Sequence, residues 1–512
     1  MNGAECLLRT LLAGGVDLCF ANPGTSELEF VSALDRAPEM RAVLCLFEGV
    51  CSGAADGYAR MARKPAATLM HLGPGLANGL ANFHNARKAR SPVVSVVGEH
   101  ATSHLRYDAP LSADVAAFAR TVSGWVRVLE RAGAIGSAAA EAVCAAFGPP
   151  GQVATLIVPA DFSYTEAGGA GSPAPRPRPG FARQNVREAA RILRSGESAG
   201  IVLSGGALFG PALDWAGRIA AATGARVFAD RYGARIERGG GRFAPPRIAY
   251  FPEAAEPMLE GLQHIVLVEA RPPVSFFAYP GRRSCPAPED CAFHTLASPA
   301  EDGTAALEAL AEELAAPAFA VPAPALPPLP RGARLTPETL GAALAALLPE
   351  DAIISEEAVS SGEPLLRHLA SARRHDHLPV TGGAIGQGLP VALGAALACP
   401  DRKVIALEAD GSGMYTLQAL WSMAREQADV TVIVLANRRY RILGIELRRS
   451  GVPAGPAADN MMDLTRPPLG WVKLAEAQGV PATRAETADE FIAQFGIAMG
   501  ERGPRLIEAV LV

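Results

Sequence analysis

The chain is 512 residues long, with 19% charged residues and a formal net charge of −5. That balance gives no electrostatic reason to expect nucleic acid or an anionic membrane as a partner. The 49% apolar share is broken by 52 Gly and 42 Pro, so no span approaches the roughly 20 uninterrupted apolar residues of a membrane helix.

The first stretch, MNGAECLLRTLLAGGVDLCF, carries Glu5, Arg9 and Asp17 among its leucines. It predicts an amphipathic helix entering a strand, not a signal peptide. None of the eight cysteines forms a C-x-x-C pair, so buried, reduced thiols in a cytoplasmic protein are expected. The short apolar runs VDLCFA, RAVLCLF, AATLMHL, SPVVSVVG and VATLIVPA follow, separated by Ala- and Leu-rich helical stretches. Pro/Gly-rich segments at 166–180 and 316–332 read as extended linkers. Between them lie AGIVLSGGA, ARVFAD and HIVLVEA; beyond them come DAIISE, KVIALEAD, VTVIVLAN and PRLIEAVLV. Fully apolar strands alternating with helices imply parallel sheets covered on both faces. The expected architecture is three doubly wound α/β domains, at 1–165, 181–315 and 333–512.

Several groups along this order could carry chemistry, each with a bland alternative. ANPGTSE, 21–27, is a strand-to-helix turn in which Thr25 or Ser26 could cap the next helix. Glu48 follows an apolar strand and precedes the helix GVCSGAADGYARMARK. Poor solvation there could let it carry a proton near neutral pH; a helix-terminal carboxylate attracted to the macrodipole is the alternative. HLGPGLANG, 71–79, sets His71 beside a turn that permits close backbone approach by a ligand, although a lone His is equally read as structural. LSGGALFG, 203–210, looks like a nucleotide loop in the middle segment. In GGAIGQGLP, 382–390, Ile385 is the bulky side chain in a run of small ones, and would project into whatever occupies the crevice.

The segment 408–440 reads as a strand end, a turn at 410–412, a helix through 417–426 and a second strand buried on both faces. In a right-handed βαβ crossover the two strands are parallel and end at one edge. Asp410 and Asn437, 27 residues apart, can therefore arrive side by side. Two oxygen ligands at such an edge suit a hard cation such as Mg2+, with positions left for water and phosphate. A surface turn and a strand-end Asn is the alternative.

NPGTSE, FEGVCSGAADGYAR, GPGLANG, GGAIGQGLP and ADGS…N, in this order over the whole chain, resemble the thiamine-diphosphate-dependent 2-oxo-acid enzymes, the family of acetolactate synthase and benzoylformate decarboxylase. The resemblance implies pyrimidine-binding, central and diphosphate-binding domains, with thiamine diphosphate and Mg2+ as cofactors. It implies Asp410, Asn437 and the backbone carbonyl of Arg439 as metal ligands, with Gly411, Ser412 and Ser360 toward the diphosphate. Ile385 resembles the residue that bends the cofactor into its V shape, and the Gly383 carbonyl an acceptor for the aminopyrimidine. Glu48 resembles the glutamate on pyrimidine N1′. Thr25 and His71 match polar substrate-side positions; Phe276, Phe277, Ile442 and Glu446 would line the pocket with His71. Because the family's sites lie between subunits, a homodimer is the implied minimum, and a homotetramer is common.

Two departures bear on function. Ala409 opens the ADG motif where the family has Gly, at about 1 kcal/mol if that position needs φ > 0. VSFFAYPG places Phe276 and Phe277 where benzoylformate decarboxylase carries a histidine. The expected activity is therefore decarboxylation of a small 2-oxo acid with transfer of the acyl carbanion to a carbonyl acceptor, as in acetolactate synthase. Release of an aldehyde, and a cofactor-binding but inactive partner subunit, are the alternatives; Glu48, Asp410 and Asn437 together weigh against the last. No strand leads into a full G-x-G-x-x-G fingerprint, which disfavours a nicotinamide dehydrogenase. The middle segment shows no clear flavin signature, so FAD, usual in biosynthetic acetolactate synthases, is not expected.

Overall fold

The computed structural model describes residues 1–511. The first part of the chain forms β1 (Leu18–Ala21), β2 (Arg41–Leu44), β3 (Ala66–Met70), β4 (Val93–Glu99), β5 (Trp125–Val128) and β6 (Val153–Pro159). They make one parallel sheet in the order β2-β1-β3-β4-β6-β5. Strands β3, β4 and β6 are buried at every position, as continuous apolar runs covered by helices on both faces must be. The middle part contributes β7 (Ala199–Leu203), β8 (Arg226–Ala229), β9 (Ile236–Arg238), β10 (His264–Val268) and β11 (Ala292–Ala297). Four of these form a second parallel sheet, β11-β10-β7-β8.

The last part supplies β12 (Ala352–Glu357), β13 (His375–Pro379), β14 (Val404–Ala409), β15 (Val430–Ala436), β16 (Ala482–Ala485) and β17 (Arg505–Val510). The third sheet runs β16-β17-β15-β14-β12-β13-β9, parallel except for β9, which comes from the middle part and pairs antiparallel with β13. The three-sheet α/β architecture is the expected one. Strands β5, β9, β11, β13 and β16 were not expected from the sequence. Four of them sit at sheet edges, where one flank meets solvent and the apolar signal is short. The fifth, β13, reads HDHLP yet is buried throughout; its Asp376 accepts from Arg235 Nε at 2.6 Å and Arg402 Nη2 at 2.7 Å.

The first and third sheets share one core, running from Phe20 and Val50 to Leu389, Val434 and Trp471. Its centre is the crossing of the helices Glu48–Ala62 and Gly388–Ala398. A β-carbon at Gly53 would stand 2.6 Å from Pro390 Cβ, and one at Gly57 or Gly394 would overlap the facing backbone. Glycine there lets the helices touch backbone to backbone, which fixes Glu48 relative to the loop before Gly388. All eight cysteines are free. Among the described residues, no helix is long and apolar enough to cross a membrane.

Candidate active site

Three neighbouring strand ends of the first sheet converge on one carboxylate. Glu48 opens the helix after β2 and is 6% exposed. Its Oε1 accepts from Asn22 Nδ2 at 3.1 Å, and its Oε2 from Asn78 Nδ2 at 2.9 Å. Asn22 follows β1, and Asn78 lies on the helix Leu72–Ala89 after β3. Neither amide drew notice by itself in the sequence, although each lies within a motif there, NPGTSE or GPGLANG.

On the same edge, His71 precedes the helix Leu72–Ala89 and is half-buried. Its Nδ1 lies 2.8 Å from Glu27 Oε2 and 3.1 Å from Ser26 Oγ. The Ser26 hydroxyl also donates to Glu27 Oε1. Capping by Thr25 or Ser26 is not what the turn does: Glu27 Oε2 accepts the Gly24 N–H at 2.9 Å instead. The longer carboxylate reaches back across its own turn, and Thr25 stands exposed beside it. Glu27, 3% exposed, is the functional candidate that the sequence reading passed over.

The loop Gly382–Gly388 is clamped from both sides. Asn85 Oδ1 accepts from Gly382 N at 3.1 Å and Ala384 N at 3.2 Å, and its Nδ2 donates to Ala384 O at 2.8 Å. Asn82 Nδ2 donates to Gly386 O at 3.0 Å and to Gly49 O at 2.9 Å. From the third sheet, Glu357 accepts the Gly386 and Gly388 N–H groups at 2.6 and 2.5 Å. Ile385 is half-buried on this held loop. The Phe276 ring fills the space a side chain at Gly383 would take, whereas Phe277 is 55% exposed.

At the edge of the third sheet, β14 and β15 pair in parallel with Ala409 opposite Leu435. The residues just beyond them meet: Asp410 Oδ1 accepts from Gly411 N at 2.9 Å, and Oδ2 from Arg438 N at 2.6 Å. Burial pushes the Asp410 carboxyl up to about 6, because backbone N–H groups and the Arg438 charge only partly offset its lost hydration. Asn437 Oδ1 accepts from Arg439 N at 3.0 Å. Beside them opens a cavity of about 360 Å3 lined by Asn437, Arg439, Arg441 and Arg448, a cationic surround for an anion. Gly411 and Ser412 are buried, and Ser360 lies half-buried in the turn after β12, the strand next to β14. The helix expected from 417 starts at Ala419, because a 3-10 turn over Gly413–Tyr415 comes first. Ile442 and Glu446 lie on the helix Arg441–Arg449, where Glu446 accepts from Tyr279 Oη at 3.1 Å.

Two family models match this chain. Residues 1–118 match "Thiamine pyrophosphate enzyme, N-terminal TPP binding domain", and residues 364–509 match "Thiamine pyrophosphate enzyme, C-terminal TPP binding domain". The chain belongs to the thiamine pyrophosphate enzymes. Its relatives in that family include the Mycobacterium tuberculosis protein named "Putative acetolactate synthase large subunit IlvX", 51% identical over 515 residues that cover 100% of this chain and 99% of that one. Benzoylformate decarboxylase of Pseudomonas aeruginosa is 28% identical over 529 residues, 96% of each chain. In fold, the chain matches the Rhodococcus jostii RHA1 thiamine diphosphate-dependent 4-hydroxybenzoylformate decarboxylase with a TM-score of 0.88 at 24% identity, covering 100% of this chain and 99% of that one.

Thiamine diphosphate is accordingly the cofactor of this enzyme, and its residues fit the group. A buried carboxylate at Asp410 whose hydrogen bonds come from backbone N–H groups, arginines around the neighbouring cavity and a second buried carboxylate at Glu48 are the donor set that a metal-bound diphosphate and a protonatable ring require.

Proposed function

We propose that this thiamine pyrophosphate enzyme, a cytoplasmic protein, decarboxylates a small 2-oxo acid and passes the acyl unit to a carbonyl acceptor. The observation that carries this reading is the Phe276 ring against Gly383. It offers an apolar face beside the loop, backed by the rings of Phe277, Tyr250 and Tyr232. A phenyl ring at the position where benzoylformate decarboxylase carries a histidine favours capture by a carbonyl over protonation from that side. The full-length relationship to a protein named as an acetolactate synthase large subunit supports the same reading.

When bound, thiamine diphosphate supplies a nucleophilic carbon and an electron sink. The chain's own groups do the rest. Glu48, aimed by Asn22 and Asn78, would hold a proton at the pyrimidine N1′. Asp410, Asn437 and the Arg439 carbonyl would hold Mg2+, with Gly411, Ser412 and Ser360 toward the diphosphate. Ile385 would support the cofactor's bend from its clamped loop, and the Gly383 carbonyl would accept from the aminopyrimidine. His71 has Nδ1 committed to Glu27, so Nε2 is the nitrogen left to orient the substrate or move a proton; Thr25 would add a polar contact.

Residues 1–165 would bind the pyrimidine and 333–512 the diphosphate, with 181–315 between. Leu28, Leu46, Tyr415 and Leu443, close in sequence to the site residues, are exposed apolar side chains. Such a rim fits a second copy that completes the site, giving a homodimer or, by pairing dimers, a homotetramer. The test is to incubate the protein with thiamine diphosphate, Mg2+ and aliphatic and aromatic 2-oxo acids, and to separate hydroxyketone from aldehyde by mass spectrometry. Ligated product is expected. Aldehyde alone would make the enzyme a simple decarboxylase, and no turnover of any acid would leave it an inactive partner subunit.

A further inference from the structure

The strand order β11-β10-β7-β8 sends the chain from β7 to β8 on one side and later to β10 on the other. Loops leaving β7 and β10 therefore diverge, and the crevice between them is where open parallel sheets take ligands. The β7 loop is Ser204-Gly205-Gly206, and Asp230 follows β8. Such a loop and such an acid are the parts that cradle a nucleotide's phosphates and ribose.

In this molecule both parts are already engaged. Glu269, the residue after β10, is 1% exposed. Its carboxylate accepts from Gly206 N at 2.8 Å, from Gly303 N at 3.1 Å, and from Arg178 Nη1 and Nη2 at 2.9 and 3.2 Å. Gly303 is the first residue of the helix Gly303–Glu313, so the carboxylate also caps a positive helix end. Gly205 has φ +54, and a β-carbon there would overlap Glu269 Oε2. Glu269 itself stands at φ +53, a left-handed conformation that a residue with a β-carbon adopts only when its surroundings hold it there. Asp230 accepts from Ser204 Oγ at 2.9 Å. A glycine amide, a helix N-terminus and an arginine, the donors that would meet a phosphate, thus meet a carboxylate of the same chain.

We propose that Glu269 is a built-in anion filling the phosphate seat of the middle domain, which closes that domain to FAD and to other adenine nucleotide diphosphates. In the cavity of about 450 Å3 alongside, lined by Arg60, Lys88, Arg90, Gly206, Tyr232 and Phe276 among others, the Gly206 N–H is already taken by Glu269.

The test uses the full chain loaded with thiamine diphosphate and Mg2+, so that its diphosphate site is occupied, titrated with ADP and with FAD by calorimetry. Wild type is expected to show no saturable binding up to about 1 mM, and to release no flavin on denaturation. Glu269→Ala frees all four donors and is expected to bind ADP at least about tenfold more tightly than the wild-type limit. Glu269→Asp withdraws the carboxylate by one methylene and should move in the same direction, so it serves if the alanine variant fails to fold. One-to-one binding of ADP or FAD by wild type would overturn the proposal, as would folded variants that gain no affinity.

Discussion

Glu27 Oε2 lies 2.8 Å from His71 Nδ1, although 44 positions separate the two residues. The same oxygen holds the Gly24 N–H, so one carboxylate sets both the turn after β1 and the imidazole after β3. It also determines which ring nitrogen is free, since a nitrogen bound to a carboxylate carries its proton there.

His71→Ala should lower turnover about 10²–10⁴-fold, the range for an acid–base group, with thiamine diphosphate affinity nearly intact. Glu27→Gln should lower kcat less, and the double variant should be no worse than His71→Ala, because the two residues act as a unit. Steady-state kinetics on the best substrate checks this; independent, multiplying losses would separate Glu27 from His71.

Glu48→Gln retains shape and hydrogen bonding but cannot take up or release a proton. Cofactor and Mg2+ should bind within a few fold of wild type, since most affinity comes from the diphosphate end. Exchange of the thiazolium C2–H for deuterium should slow by orders of magnitude, read by NMR of quenched samples. Exchange at the wild-type rate would return Glu48 to a helix-terminal carboxylate.

Asp410→Ala should abolish binding of thiamine diphosphate with Mg2+, because it removes the anionic side-chain ligand at this edge. In wild type a proton competes with the metal for Asp410, whose carboxyl is held up to about 6 by burial. Affinity should therefore be flat above that pH and fall by up to about tenfold per unit below it. Calorimetry from pH 5 to 8 reads both; a pH-independent affinity would rule out Asp410 as a ligand.

Asn82→Ala would remove the one side chain that ties Gly49 O to Gly386 O, leaving Gly386 O to Thr416 Oγ1 at 2.9 Å and Gly49 O to Ser52 Oγ at 3.3 Å. Each lost hydrogen bond costs about 0.5–1.5 kcal/mol. Cofactor affinity should fall roughly 10–100-fold, because the Ile385 loop and the start of the Glu48 helix lose their common tie. Fluorescence titration with thiamine diphosphate measures it, and unchanged affinity would mean that Asn85, Glu357 and Thr416 hold the loop without Asn82.

His375 and His377 on β13 are pushed down to about 4 and about 3 by burial. The unfolded chain takes up protons on them near pH 6.5, which the folded chain refuses until pH 4 or below, so their contribution is lost as pH falls from 6.5 toward 4. Glu357, pushed up to about 7 by burial, opposes this: it keeps a proton that the unfolded chain has released, and removes stability as pH rises from 4.5 to 7. The two effects separate in a variant. His377→Leu should flatten the acid-side loss by up to about 1.4 kcal/mol per pH unit, measured as urea midpoints between pH 4.5 and 7. Parallel curves for wild type and variant would show that His377 titrates alike in both states.

Much of the site was legible because its central residues end apolar runs. Glu48 follows RAVLCLF, Asp410 follows KVIALEA and Asn437 ends VTVIVLAN. A run of that kind is a local signal of a buried parallel strand, and parallel strands deliver the residues after them to one edge. Glu27, Asn22, Asn78, Asn82, Asn85 and Glu269 were not singled out. Each is an ordinary polar residue whose meaning lies in a partner from another strand or domain. Nor did HDHLP announce a strand, since its burial depends on Arg235 and Arg402 arriving to meet Asp376.

Contiguous residues were enough to settle the three-sheet α/β class, the strand ends that carry acids and amides, and membership among the thiamine pyrophosphate enzymes, because periodicity and motif are local properties of the chain. Tertiary packing settled that β1, β2 and β3 lie side by side so that Asn22 and Asn78 can aim Glu48. It also settled that β9 crosses to the third sheet, and that Glu269 fills the loop that looked like a nucleotide site. Any apolar strand can pair with any other, so sheet order depends on how whole helices pack, as at Gly57 and Gly394. A polar side chain acquires its role only when that packing chooses its neighbours and removes its water.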